Sequence, residues 1–328
     1  MRIRRSLPIL VALLLVVAAV ALVVVLRKHA PPEPARLLPG ADGFVYINLQ
    51  WMRRANLLGE LPPVPHDPEY EQFIEATGFQ FERDLDEAAF AVHYSSPGIQ
   101  PRFSEVFVGK IQGERLRAYL KKLSSSTENY RSVDIFSIPL EGRTVRVAIL
   151  GIDTVAASNT EDPQVIRGIV DRSRKLASPF AGPALLRQHY KHVPFASLAW
   201  AIFRIDPSVF KSAVGGWSLW FSQPAVGVAS IRHLRELHFR GVAFTGNEQD
   251  AKNVVDRATT YLNLFHAAEI STGAQGGDPD VKALLDSLKI EQQKDRALLT
   301  ATVPVGFIRK ALAEGPAAVS PEGTQRSH

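Results

Sequence analysis

The longest apolar pattern in the chain lies at its start and has the length of a membrane span. Residues 9–26 contain no polar side chain, and Leu7 and Pro8 extend this run to 20 residues. A helix of that length covers about 27–30 Å, the thickness of the hydrocarbon core of a bilayer. A cleaved secretion signal is the alternative, but its apolar core is usually only about 7–15 residues long. Residues 7–26 are therefore predicted to be an anchor that stays in the membrane.

Basic residues on both sides of this segment indicate its orientation. Arg2, Arg4 and Arg5 precede it, and Arg27 and Lys28 follow it. Basic residues near the ends of a span favour the cytoplasmic side. The small excess before the span predicts a single-pass membrane protein with a cytoplasmic N-terminus. The body is then extracytoplasmic, either periplasmic or external.

The whole chain divides by composition into four regions. The proline-rich stretch 30–40 is predicted to be an extended linker, so residues 1–39 contain a cytoplasmic stub, the anchor and this linker. Two α+β domains are predicted for residues 40–192 and 193–313. Residues 314–328 have few apolar positions and no periodicity, which indicates a disordered tail.

Asp-Pro pairs mark the predicted starts of helices. Aspartate is a preferred N-cap, and proline suits the first helical position. Such pairs begin at Asp67, Asp162, Asp206 and Asp278, and apolar residues at helical spacing follow all but the shorter Asp206 segment. Gly78 is placed to end the first of these helices in a left-handed conformation.

Two further helices follow from apolar residues at helical spacing. One contains residues 116–123, and a longer one contains residues 254–265 with Asn247 as its cap. Strands are predicted between the helices from alternating or β-branched apolar runs. These strands are Phe44–Leu49, Ala88–Tyr94, Glu105–Ile111, Val133–Leu140, Thr144–Leu150, Thr154–Ser158, Leu198–Ile205, Trp217–Phe221, Val226–Arg232, Glu236–Phe244 and Ala297–Val303.

This order of elements indicates the fold class. Several strands follow one another directly, which favours an α+β fold with mostly antiparallel sheets over a doubly wound parallel fold. Two stretches, 106–123 and 239–262, each run from a strand through a glycine-containing turn into an amphipathic helix. A generic α+β pattern also produces such matches, so the sequence leaves open whether the two halves are related by duplication.

The basic character of the chain belongs to its N-terminal region. The formal net charge is +5, but residues 1–39 hold six of the 38 basic residues and one of the 33 acidic ones. Residues 40–328 therefore hold 32 of each and carry no net charge. Nucleic-acid binding requires a basic domain or stripe, so no nucleic-acid partner is predicted.

Motifs for catalysis, metals or cofactors are weak. Acidic residues cluster between Glu75 and Glu87, and Asp84 and Asp86 alternate as in a calcium loop. The glycine and the distal glutamate of such a loop are missing, so the segment is interpreted as a helix-to-strand connection. The chain has no cysteine, no GxSxG, and neither a P-loop nor a GxGxxG motif. No catalytic residue, metal ligand or cofactor is predicted.

Histidine pairs do not change this picture. His189 and His192 have a spacing that could reach one metal ion from a helix, but no acidic residue lies within ten positions on either side. His233 and His238 flank Glu236, and neither a strand nor a helix brings all three residues together. These histidines are interpreted as structural or surface residues.

The remaining candidate is an aromatic stretch between Ala213 and Gly227. Trp217, Trp220 and Phe221 stand among glycines and a proline. Aromatic residues with a polar tip are frequent at protein interfaces and membrane surfaces. A strand that is buried on both faces would explain the same pattern. These three residues are the predicted contact surface for an envelope protein partner.

Several short motifs give the chain a family resemblance. Its opening contains Pro39, Asp42, Tyr46 and Ile47, and Thr77-Gly78-Phe79 is followed by the segment Arg83–Asp86. Further motifs near the end are Leu284–Ile290 and Leu299–Val303. With the N-terminal span, this pattern resembles uncharacterised bacterial membrane-anchored envelope proteins that form a domain-of-unknown-function family. The resemblance implies export and a two-part α+β body, and it implies no active site.

These observations lead to one preferred function and two alternatives. The preferred interpretation is a membrane-anchored extracytoplasmic protein that acts as a binding or scaffolding module of the cell envelope. One alternative is an envelope hydrolase that uses carboxylates, which would require acids that converge in a cleft. The other is an accessory subunit of a membrane complex, which would require a large exposed apolar patch.

Overall fold

The computed structural model describes residues 30–56, 66–94, 101–140, 142–174, 182–208, 220–271, 278–307 and 310, with the side chains of 265–271 left out. The predicted anchor at 7–26, the predicted tail and Trp217 all lie outside these residues. Within the described ranges, no helix combines the length and the hydropathy that a bilayer span needs. The anchor therefore stays a prediction.

The described residues form twelve strands that pair into one sheet. Every neighbouring pair is antiparallel, and the order across the sheet is β11-β12-β10-β9-β8-β1-β2-β3-β7-β6-β5-β4. The strands are β1 Gly43–Asn48, β2 Leu85–His93, β3 Arg102–Gly109, β4 Ser126–Tyr130, β5 Val133–Leu140, β6 Arg143–Ile149, β7 Thr154–Ser158, β8 Ser197–Ile205, β9 Ala225–His233, β10 Leu237–Phe244, β11 Lys289–Gln293 and β12 Arg296–Val303. With the helices that alternate with these strands, this confirms the predicted mixed α and antiparallel β class.

Several of the described helices begin at caps that the sequence predicted. They are α1 Glu33–Leu37, α2 Leu49–Arg54, α3 Pro68–Thr77, α4 Phe81–Asp84, α5 Gly113–Leu123, α6 Gln164–Arg174, α7 Ala184–His189, α8 Glu248–Ser271 and α9 Pro279–Ser287. Asp67 accepts a hydrogen bond from the backbone N–H of Tyr70 at 2.8 Å, and Asn247 accepts one from that of Asp250 at 2.9 Å. Gly78 ends α3 with a φ of 73°. These predicted caps are confirmed.

The two halves of the chain use the same strand order. From the central β1–β8 pair outward, the first half gives β1, β2, β3 and then its last strand, β7. The second half gives β8, β9, β10 and then its last strand, β12. In both halves a helix, α5 or α8, follows the third strand. The predicted boundary between residues 192 and 193 falls at the start of the second set of strands, and the sheet continues across it.

The sheet has helices on both faces. Phe44 and Ile202 are paired neighbours on the face that α1, α6 and α7 cover, and both are fully buried there. We call this the α1 face. Val45 and Ala201 lie on the opposite face, which we call the α8 face. On that face, α3 and α5 cover the first half and α8 covers the second.

The N-terminal segment corrects the sequence prediction. Residues 30–40 were predicted to be an extended linker outside the folded body, but residues 33–37 form α1. Ala35, Leu37 and Leu38 are at most 3% exposed and belong to the main core. The prolines misled the prediction because Pro32 and Pro34 lie at the start of this helix, where proline needs no backbone N–H partner. Pro31 and α1 are therefore part of the folded body.

Two strands were missed, and one predicted strand is wrong where it can be examined. β4 and β11 have the sequences STENY and KIEQQ, and they occupy the two outer positions of the sheet. Edge strands face solvent, so they carry no apolar alternation to detect.

In the predicted strand Trp217–Phe221, the backbone at Trp220 is helical and Phe221 belongs to no strand. Residues 217–219 lie outside the described residues.

Candidate functional site

The main candidate site is an apolar cavity on the α8 face of the second half. Its volume is about 350 Å³, and it lies between the sheet and α8. The floor consists of small residues on three neighbouring strands, β9, β10 and β12: Gly227, Ala229, Gly241, Ala243 and Ala297. Side chains alternate between the two faces of a strand, so these positions all present their small side chains to the same face. The cavity lies above these small residues, and Leu299 and Ile290, which face the same side, contribute to its lining.

Two aromatic rings lie close to glycines of this floor. A Cβ atom added to Gly227 would lie 2.6 Å from the ring of Phe203, and one added to Gly241 would lie 3.3 Å from that of Phe239. Real Cβ atoms do not approach other atoms as closely as 2.6 Å. Gly227 is therefore needed for the position of Phe203, and both rings line the cavity.

The rest of the wall comes from α8 and from the segment before β9. Val254 and Ala258 lie on one face of α8 and line the cavity. The ring of Trp220 packs against that of Tyr261 with 5.1 Å between centroids, which joins the segment to the helix. Phe221 completes this side and is 6% exposed.

The lining determines what the cavity can bind. No described residue around it carries a charge, and the indole N–H of Trp220 is the one hydrogen-bonding side-chain group. A buried polar ligand group would lose its hydrogen bonds to water without finding replacements, which costs a few kcal/mol. The cavity therefore suits an apolar group and disfavours charged or strongly polar molecules.

The predicted contact residues fall at this cavity as far as they can be placed. Trp220 is half-buried and Phe221 is buried, and both belong to the wall. Trp217 lies outside the described residues. The aromatic stretch was correctly singled out as unusual, but Phe221 faces the interior. Contact with a protein partner stays a prediction.

The acidic cluster between α3 and β2 forms ion pairs. Arg83 donates to both carboxylate oxygens of Asp84, at 2.9 and 2.6 Å, and the backbone N–H of Gln80 donates at 3.0 Å. The hydrogen bonds from Arg83 hold the pKa of Asp84 below its usual value. Asp86 accepts from Arg53 at 2.6 Å. Asp84 and Asp86 each have an arginine partner, which fits the predicted structural role.

A polar cleft on the α1 face contains a different carboxyl group. The cleft has a volume of about 400 Å³ and is lined in part by Glu33, Glu87 and Asp153. The Tyr46 hydroxyl donates to Glu87 at 2.8 Å and accepts from the Asn48 amide at 3.2 Å. Burial raises the pKa of Glu87 above its ordinary value, and neighbouring carboxylates add to the shift. The sequence placed Glu87 in the acidic cluster but did not predict its contact with Tyr46, because the two residues are 41 positions apart.

The histidines pack as ring systems. His189 and His192 lie with their ring centroids 6.4 Å apart, and both rings pack against Phe244 at 5.4 and 4.5 Å. Burial lowers the pKa of both groups. Within the described part of the chain, no group of three or more histidine, aspartate or glutamate residues is placed to hold a metal ion.

Comparisons with known proteins give structural neighbours only. No protein-family model and no curated protein matches the chain. Among solved structures, crystal form III of TP0453 is 10% identical over 87% of this chain and 99% of that chain, with a TM-score of 0.49. Crystal form I of TP0453 is 11% identical over 87% and 98% of the two chains, with a TM-score of 0.46. Similarity at this level gives no basis for transferring an activity.

Proposed function

We propose that this chain is a membrane-anchored binding protein of the cell envelope, and that its body takes up an apolar chain, such as the acyl chain of a lipid. The observation that carries the proposal is the cavity between the sheet and α8, which is lined by apolar groups apart from one indole N–H. Its volume of about 350 Å³ lies within the range of about 300–1,000 Å³ that ligand pockets usually have.

The shape of the lining favours a flexible chain. The floor follows small residues across β9, β10 and β12, while the rings of Phe203 and Phe239 lie along it. A chain of methylene groups can follow such a floor and gains about 0.8 kcal/mol for each group that leaves water. A polar head group has no partner inside, so it would stay at the mouth of the cavity.

The predicted anchor is consistent with this role. Residues 7–26 would hold the body beside a bilayer, which raises its effective concentration toward lipids and envelope partners. A scaffold or an accessory subunit would use an exposed apolar patch around Trp217, Trp220 and Phe221. Burial of Phe221 and the position of Trp220 in the cavity wall favour ligand binding over that use of these two residues.

Photo-crosslinking from the membrane tests the proposal. The full-length chain is reconstituted in phosphatidylcholine vesicles in which a fraction of the lipid carries a diazirine at the end of one acyl chain. After irradiation, we expect lipid adducts on peptides that contain Phe239–Gly241 or Val254–Ala258. Residues 7–26 serve as an internal positive control, because an anchor must also be labelled.

A cavity-filling variant provides the specific control. Ala243→Leu places a larger side chain on the floor and should remove most of the cavity adducts while leaving the adducts on 7–26. Ala118→Leu makes the same change on the exposed surface of α5 and should change neither. Adducts on 7–26 without any on the cavity peptides would refute ligand uptake and leave the anchor in place.

A second candidate function is the carboxylate hydrolase, and the position of Glu87 supports it. A carboxyl group whose pKa is raised by burial in a cleft keeps its proton to a higher pH and can act as a general acid. This function predicts turnover of fluorogenic glycosides or esters that Glu87→Gln abolishes. Absence of turnover, or equal turnover by the variant, would argue that Glu87 has a structural role with Tyr46.

A further inference from the structure

One end of the sheet gathers exposed apolar side chains from separate parts of the chain. It is the end at which β1 stops and β2 and β8 begin. Trp51 on α2 is 57% exposed, Phe195 before β8 is 65% exposed, Leu234 in the β9–β10 turn is 62% exposed, and Ile152 in the β6–β7 turn is 88% exposed. These four residues are separated by at least 39 positions, so only the fold brings them to one end.

The N-terminal segment enters the body at this same end. Pro31 is buried, and Pro32 lines a cleft of about 530 Å³ together with Trp51 and Phe195. The first described residues therefore lie beside the exposed aromatic side chains Trp51 and Phe195. We call Trp51, Ile152, Phe195 and Leu234 the entry-end residues.

The length of the connection limits how far this end can move from a membrane. The predicted span ends at Leu26, five positions before the buried Pro31. Five extended residues reach at most about 18 Å. The headgroup layer on one side of a bilayer takes up about 5–8 Å of that distance. The body therefore has to lie close to the membrane surface, because the segment that was predicted to be a linker is part of the core.

We propose that the entry-end residues dock the body onto the lipid surface of the membrane that holds the anchor. The proposal rests on the anchor at residues 7–26, and it is separate from ligand uptake by the cavity. Large aromatic and aliphatic side chains gain free energy when they leave water for the interfacial layer, and tryptophan is enriched there. Four such groups at the end where the span begins fit a bilayer better than they fit bulk water.

The charges around this end indicate a general lipid surface. Arg54, Lys191 and Arg235 are exposed near it, and so are the acidic residues Glu33 and Glu236. A site for anionic lipid would carry an excess of lysine and arginine. The mixed charges instead favour docking through apolar contact, so the test uses zwitterionic lipid.

Site-specific labelling tests the docking directly, because the chain contains no cysteine. Phe195→Cys and Leu234→Cys are made in the full-length chain, labelled with the environment-sensitive dye NBD, and reconstituted in phosphatidylcholine vesicles. Leu140→Cys is the matched control, since Leu140 is 56% exposed and lies at the opposite end of the sheet. Doxyl-labelled lipids then quench any dye that contacts the bilayer.

We expect strong quenching and a blue-shifted emission at positions 195 and 234, and little change at position 140. A Trp51→Ser/Ile152→Ser change in the Leu234→Cys background should reduce the quenching. Equal quenching at both ends, or none at 195 and 234, overturns the proposal.

Alkaline carbonate extraction of the same vesicles reports on the anchor independently. Protein that stays in the membrane but shows no quenching refutes docking alone. Protein that is extracted refutes the anchor. Near-native circular dichroism of each variant excludes misfolding as the cause.

Discussion

The two halves of the molecule share a strand order but fill the same face of the sheet differently. In the first half, the space beneath α3 is occupied by aromatic rings, among them Phe73, Phe79 and Phe107. In the second half, the corresponding space beneath α8 has glycine and alanine on the strands and remains a cavity. The first half therefore has a filled aromatic core on this face, and the second half has a cavity that suits the proposed ligand.

The largest expected effect comes from opening the filled half. Phe79 is 7% exposed and packs edge-to-face against Phe73 and Phe81. We expect Phe79→Ala to lower the free energy of unfolding by about 3–5 kcal/mol, since it removes a buried ring and leaves a void. Phe239→Ala is the matched change in the second half and should cost less, because that ring already borders a cavity. Equal losses in urea denaturation would contradict the comparison.

The next largest effect is a change in stability on adding a larger side chain, which should be unfavourable in the first half and neutral or favourable in the second. Ala88 is 3% exposed beneath the aromatic cluster, so Ala88→Leu should destabilise the fold by about 1–3 kcal/mol through overpacking. Ala243→Leu adds the same atoms to the cavity and should leave stability unchanged or raise it by about 0.5–2 kcal/mol. Thermal unfolding followed by circular dichroism measures both. A clear loss of stability for Ala243→Leu would show that the cavity cannot accept even one isobutyl group.

A smaller effect is expected at the start of the helix that covers the filled half. Asp67 caps α3 through the backbone N–H of Tyr70. Asp67→Ala should lower the free energy of unfolding by about 1 kcal/mol, the usual cost of a lost N-cap. Asp67→Asn keeps an accepting side chain and should cost little in the same urea titration. If the alanine and asparagine variants were equally stable, the cap would contribute nothing measurable.

The smallest expected effect concerns one charge on the α8 face. Glu105 pairs across the strands with Phe90 and Ala157, and burial raises the pKa of its carboxyl group. A raised pKa in the folded state means that ionised Glu105 disfavours folding. At pH values above about 4.3, the ordinary pKa of glutamate, Glu105→Gln should therefore raise the melting temperature. The gain in melting temperature should vanish at lower pH. Glu291→Gln makes the same substitution at an exposed position on β11 and is the control for the loss of one carboxylate.

The sequence predicted the buried elements better than the exposed ones. Strands such as β5 and β7 were found within their observed bounds because their apolar runs mark a buried position. The caps at Asp67 and Asn247 were also readable, since capping is a local interaction. α1 was mistaken for a linker because its packing against the distant parts of the core leaves no local pattern.

The cavity could not be predicted for a related reason. Gly227 and Ala229 in β9 look like ordinary small residues in a strand, and so do Gly241 and Ala243 in β10. Their meaning depends on β9 and β10 pairing in a register that aligns Ala229 with Gly241. Small residues at every second position in two consecutive strands were the available signal. The strand order that the two halves share and the Tyr46–Glu87 contact likewise depend on pairings between residues far apart in sequence.

The polar edge strands have a consequence for how copies of this protein coexist. An open sheet offers unpaired backbone groups at its two borders, and another sheet can extend it there. In this molecule the borders are β4 and β11, whose charged residues include Glu128, Lys289 and Glu291. Confinement to a membrane would raise the frequency of collisions between copies. Charged borders would keep those collisions brief, so crowding in two dimensions need not lead to sheet-to-sheet aggregation.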